Sequence, residues 1–239
     1  MSEFLVMLLL TASAGACIPL GGLFARVERI RPQWLETEFR HSVIAFGGGV
    51  LVAAVALVLV PEGTRLLPSP TLAVCLFLAG GVSFCVFEAW LTRHGAEKPQ
   101  FIAMLLDYLP ESLALGGMFA GGSSLAPMLA LLIGLQNLPE GFNAYRELLA
   151  GKGRRAPDTI WLMLAAIPLG PIFGALGWIY GGDHPRLLGA VMLFSAGGIL
   201  YLLFQDIAPQ SRLNRHWAPT LGAVLGFSLG MLGNLLLNT

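Results

Sequence analysis

Two short runs hold the residue types best suited to chemistry: Asp107-Tyr108-Leu109-Pro110-Glu111-Ser112 and Gln136-Asn137-Leu138-Pro139-Glu140-Gly141. Each places two oxygen-bearing side chains at i and i+4, on one face of a helix, with a proline between them. Each also lies within an apolar stretch long enough to cross a bilayer, where a charged side chain is costly and usually functional. A buried carboxylate needs a proton or a cation. No Lys or Arg falls within any of the apolar stretches, so a metal cation in transit is the natural counter-charge.

The rest of the chain is what such a site requires. Of the 239 residues, 56% are hydrophobic and 12% charged, and the mean hydropathy is +0.74. Soluble domains carry about 25% charged residues, so a polytopic membrane protein is expected, with the lipid bilayer as its main partner. Thirty glycines without a collagen-like period suit membrane helices, where small residues allow close backbone approach. A net charge of zero argues against nucleic acid as a partner. Cys17, Cys75 and Cys85 lie in apolar runs without CxxC spacing and are expected to be buried thiols.

Eight apolar segments are read as helices of one all-α membrane domain covering residues 1–239: approximately 3–24, 42–62, 70–92, 101–121, 125–145, 158–180, 187–209 and 217–237. The first is read as a transmembrane helix, because Met1-Ser2-Glu3 lacks the basic start of a signal peptide. Asp158, after Pro157, is the expected N-cap of the sixth. Of fourteen basic residues, twelve fall on one side: Arg26, Arg29, Arg31, Arg40, Arg93, Lys98, Arg146, Lys152, Arg154, Arg155, Arg212 and Arg215. Only Arg65 and Arg186 fall on the other. This asymmetry places both termini outside the cytoplasm, in a multi-pass protein of the plasma membrane, the inner membrane of a bacterium.

With that orientation the fourth helix runs outward and the fifth inward. At about 1.5 Å rise per residue, Asp107 is level with Glu140 and Glu111 with Gln136, so four oxygen ligands can converge near mid-membrane. Pro110 and Pro139 free the carbonyls of Leu106 and Leu135 and bend the helices beside the site, as transporters often do. A second pair of runs, Phe46-Gly47-Gly48-Gly49 to Pro61-Glu62 and Phe194-Ser195-Ala196-Gly197 to Pro209-Gln210, places phenylalanine fifteen residues before proline in both. The two run in opposite directions, as in an inverted repeat of helices 1–3 and 6–8 around a central pair, a 3+2+3 arrangement.

On these residues the chain resembles the ZIP (Zrt/Irt-like protein) family of divalent metal transporters, over nearly its whole length. The resemblance implies a primary metal site on Asp107, Glu111, Gln136 and Glu140, with Asn137 matching a ligand of a neighbouring second site. It also implies transport into the cytoplasm and a homodimer. The chain departs from the family pattern at Asp107, where histidine is usual, and at Tyr108, where asparagine is. Gly170-Pro171 takes the place of a sixth-helix carboxylate found in some members. The family points to zinc or iron as cargo, whereas an all-oxygen set suits manganese, iron(II) or magnesium. Cobalt and cadmium are further candidates, and no resident cofactor is expected.

Other polar residues are read more plainly. Glu88 has no acidic or amide companion one turn away and is expected to be structural; Gln136 serves either as ligand or as packing glue, and Asn137 is open in the same way. Gln205 and Asp206 line an inner exit or form an interfacial helix end. His41, His94, His184 and His216 have no metal-ligand spacing. The chain is not expected to be an enzyme. An intramembrane metal-dependent hydrolase is the first alternative, although HExxH and GxSxG are missing. A proton-coupled carrier of a non-metal substrate is the second.

Overall fold

Apolar runs of this length close their backbone hydrogen bonds internally, because lipid offers no partners. In the computed structural model, residues 2–28, 38–93, 100–150, 155–214 and 216–237 are described. Arg29, Arg31, His94, Lys98, Lys152, Arg154 and Arg215 lie outside them. Eight long helices follow in order: α1 Glu3–Glu28, α2 Arg40–Leu66, α3 Pro70–Arg93, α4 Gln100–Ala120, α5 Ala126–Ala150, α6 Ala156–Gly181, α7 Pro185–Ser211 and α8 Ala218–Leu237. Seven are long and apolar enough to cross a membrane. The exception is α5, which is 25 residues long but carries Gln136, Asn137, Glu140, Asn143, Arg146 and Glu147.

Three helices depart from regular α geometry in their interiors, each beside a proline. In α2 a π-helical turn, Val55–Leu59, precedes Pro61; in α7 an equivalent turn, Leu203–Ile207, precedes Pro209. A proline donates no hydrogen bond and crowds the carbonyl four residues back, which widening the turn relieves. The positions match within the two Phe-to-Pro runs. The third, α6, breaks between Leu164 and Leu169 around Pro168. Its start also differs from expectation. Arg155, in extended conformation, is the N-cap and Asp158 falls in the first turn, because Pro157 is tolerated inside that turn and does not have to precede it.

Close packing rests on glycines facing backbone. A Cβ at Gly21 would overlap the Leu138 carbonyl and one at Gly141 the Ile18 carbonyl, so α1 and α5 lie backbone to backbone. Gly116 and Gly177 join α4 to α6 in the same way. Gly49 of α2 meets Ala223 of α8, and Gly197 of α7 meets Phe77 of α3; each of these glycines stands three residues after the phenylalanine that opens its run.

α4 and α5 occupy the centre, while α3 and α8 turn rows of Leu and Val outward, among them Leu78, Val82, Val86, Val224, Leu225 and Leu236. The outward row on α3 corrects the expectation for the thiols: Cys75 and Cys85 are exposed and Cys17 is half-buried. A thiol behaves as a small hydrophobe, so an apolar run alone does not separate the core from a face made for lipid.

Gly197→Val drives a side chain into the Phe77 carbonyl, and overpacking of this kind costs about 1–3 kcal/mol. The melting temperature in detergent should fall by roughly 2–10 °C. Gly233→Ala, whose Cβ would meet nothing nearer than Met128 at 3.8 Å, should be neutral or stabilising. Equal melting of both variants would sink this packing account.

Candidate functional site

The hairpin of α4 and α5 has a register fixed at two levels. Gln136 Nε2 donates to Glu111 Oε2 at 2.5 Å, and the backbone N–H of Gln100 donates to Glu147 Oε2 at 2.5 Å. These contacts lie eleven residues apart on each helix, about 16 Å of rise. Between them the antiparallel helices set Asp107 level with Glu140 and Met104 level with Asn143. Beyond the Glu111–Gln136 level come Leu115 with Leu132, then Met118 with Leu129, all essentially inaccessible. The facing surfaces are thus polar in one half of the hairpin and apolar in the other.

α1 sets the rotation of both helices. Tyr108, next to Asp107, is fully buried, and its hydroxyl donates to the Thr11 carbonyl at 3.0 Å. Asn137, next to Gln136, is also fully buried, and its Nδ2 donates to the Ala14 carbonyl at 3.0 Å. Successive helical residues point about 100° apart, so anchoring the i+1 residues on one neighbour turns Asp107 and Gln136 off α1 and into the hairpin. Room for the Tyr108 hydroxyl is made by Gly15 of α1 and Gly170 of α6, since a Cβ at either would overlap it.

Asp107, Glu111, Gln136 and Glu140 are all buried, with exposures of 0–4%. Asp107 Oδ1, Glu111 Oε1, Gln136 Oε1 and both carboxyl oxygens of Glu140 have no hydrogen-bond partner, and the ion pairs seen among the described residues do not involve these acids. Asp107 and Glu140 lie within electrostatic reach of each other and of Glu111, and Asp206 of α7 lies within reach of Asp107. Leaving several bare carboxylates in such surroundings costs several kcal/mol each, comparable with the whole stability of a domain, about 5–15 kcal/mol. Cations or protons must therefore accompany them.

The expected ligands are brought together in part. Glu111 and Gln136 touch, but through the amide nitrogen, so Gln136 has to turn its Oε1 inward to serve a cation. Asn137 is committed to α1 through Nδ2, while its Oδ1 has no partner. Among the described residues no group of three or more His, Cys, Asp and Glu stands in a metal-holding arrangement. The carboxyl groups therefore have to draw together to hold an ion. Elsewhere Glu62 is paired with Arg65 at 2.8 Å, His216 with Glu38 at 2.6 Å, and Gln205 is exposed. Glu88 and Asp206 line a small cavity between α3, α4 and α7.

Sequence reasoning missed the polar floor below the acids. A cavity of about 440 Å³ opens at the Gln100 end of the hairpin, lined by Gln100, Asn143, Glu147 and Gln210 with Arg40 and Arg146. Gln210 Nε2 donates to Gln100 Oε1 at 3.5 Å. The signal for Asn143 and Glu147 was present as continued spacing of three and seven residues from Glu140. Compared with known proteins, the chain matches no protein-family profile and no curated sequence.

Gly15→Ala should destabilise by about 1–3 kcal/mol through overlap with the Tyr108 hydroxyl, and Tyr108→Phe by about 1 kcal/mol through the lost hydrogen bond. The double variant should cost clearly less than their sum, because removing the hydroxyl vacates the room the new methyl needs. Strict additivity in thermal melts would show that the hydroxyl does not sit between α1 and α6.

Proposed function

We propose that the chain is a carrier of divalent transition-metal cations of the ZIP type, moving zinc, iron, manganese or a similar ion through the α4–α5 hairpin toward the cytoplasm. One observation carries this reading: partnerless carboxyl oxygens of Asp107, Glu111 and Glu140 are held buried at adjoining levels, with no ion pair to them among the described residues. Gln136 completes an oxygen set once its amide turns, and Asn137 orients the helix that carries it. An all-oxygen set favours manganese or iron(II) over ions that seek nitrogen and sulfur.

The reading includes eight membrane crossings in a 3+2+3 order, with α1–α3 and α6–α8 as inverted repeats about α4 and α5. The matched π turns before Pro61 and Pro209 support it, as do the matched glycine contacts of Gly49 and Gly197. Both termini then lie outside the cytoplasm, in a bacterial inner membrane, and the working unit is a homodimer. The polar half of the hairpin and its cavity face the cytoplasm, and Leu115, Met118, Leu129 and Leu132 close the outer half.

Purified protein in liposomes should take up manganese, iron(II), zinc, cobalt and cadmium, in an order read by competition. Glu111→Ala and Glu140→Ala should each lower uptake at least tenfold, to near the rate of empty liposomes, with helical circular dichroism unchanged. Normal uptake by both variants would overturn the reading.

A further inference from the structure

We propose that Asn143 is a second and weaker cation ligand, at which an ion leaving the level of Asp107 and Glu140 is held before it enters the cavity at the Gln100 end. The assignment rests on the transport reading above and adds a binding position to it. Asn143 follows Glu140 by three residues, about 4.5 Å further along the same face of α5. It is 8% exposed, it lines the cavity of about 440 Å³, and its Oδ1 has no hydrogen-bond partner. Buried amide oxygens are normally bonded, so this one is an unsatisfied acceptor buried beside the cavity that Asn143 lines.

Its neighbours leave the task to Asn143. Glu147 Oε2 accepts the first N–H of α4, and Gln100 Oε1 accepts from Gln210, so both side chains are tied into the end of the hairpin. The level partner on α4 is Met104, 1% exposed, whose thioether is a soft donor suited to late transition metals and poorly suited to magnesium or calcium. Between Glu140 and the cavity, Asn143 is thus the available oxygen on this face.

Its chemistry suits a stop on the way out. An amide oxygen offers a dipole where Glu140 offers a full charge, so an ion binds it less tightly. Conduction needs binding that is favourable enough to enter and weak enough to leave. Arg40 and Arg146 line the same cavity, and positive side chains there disfavour a long stay of a divalent cation.

The test uses Mn²⁺ as probe with the full chain in vesicles. Asn143→Ala, too small to obstruct the route, should slow initial uptake at least fivefold while Mn²⁺ binding at the acid level, read by equilibrium dialysis, stays as in the wild type. Asn143→Asp, of the same shape and with a charged oxygen, should retain more uptake than Asn143→Ala and hold more Mn²⁺ at equilibrium. Wild-type uptake by Asn143→Ala overturns the assignment and leaves the transport reading standing. Equal slowing by Ala and Asp, together with lowered melting temperatures, also overturns it, by showing a structural role. No Mn²⁺ uptake by the wild-type protein overturns the reading on which it rests.

Discussion

Carboxyl groups without partners, in a place where water does not compensate them, constrain everything around them. Asp107, Glu111 and Glu140 bury oxygens that have no hydrogen-bond partner among the described residues, at a cost the fold can bear only if protons or cations share the site. The protein therefore spends much of its architecture on holding two helices in one register and one rotation. Hydrogen bonds at the Glu111–Gln136 and Gln100–Glu147 levels set the register. Tyr108 and Asn137, bonded to carbonyls three residues apart on α1, set the rotation. If α1 shifted along its axis, both helices would be released together.

Close backbone contact makes this precision available. Where Gly21 and Gly141 join α1 to α5, and Gly116 and Gly177 join α4 to α6, the helices leave no space for side chains to slide. In a bilayer, where apolar side chains gain little by leaving lipid for protein, such contact supplies much of the cohesion. Rigidity around the acids is matched by softness elsewhere. The π turns before Pro61 and Pro209 have already lost regular hydrogen bonding, so α2 and α7 can bend there at the least further cost.

The hairpin is polarised along its length as well as charged at its middle. From the Glu111 level toward Gln100 the facing side chains include Asp107, Glu140, Asn143 and Glu147; toward Ala120 they are Leu115, Leu132, Met118 and Leu129. A cavity at one end and an apolar seal at the other is the asymmetry that the proposed carrier reading calls for. The same polarity explains why α5 is the least apolar of the eight helices.

The primary sequence was enough to determine the helical class, the eight segments to within a few residues at most ends, and the level pairing of Asp107 with Glu140 and Glu111 with Gln136. Hydropathy and a rise of about 1.5 Å per residue are local properties that survive into the fold. It did not determine which face of each helix meets protein, which is why Cys75 and Cys85 lie outside the core. Nor did it determine that Gln136 donates to Glu111 through nitrogen, that Asn137 and Tyr108 are tied to α1, or that Asn143 lines a cavity. Those outcomes depend on contacts between residues distant in the chain, such as Tyr108 with Thr11, and only packing the helices together decides them.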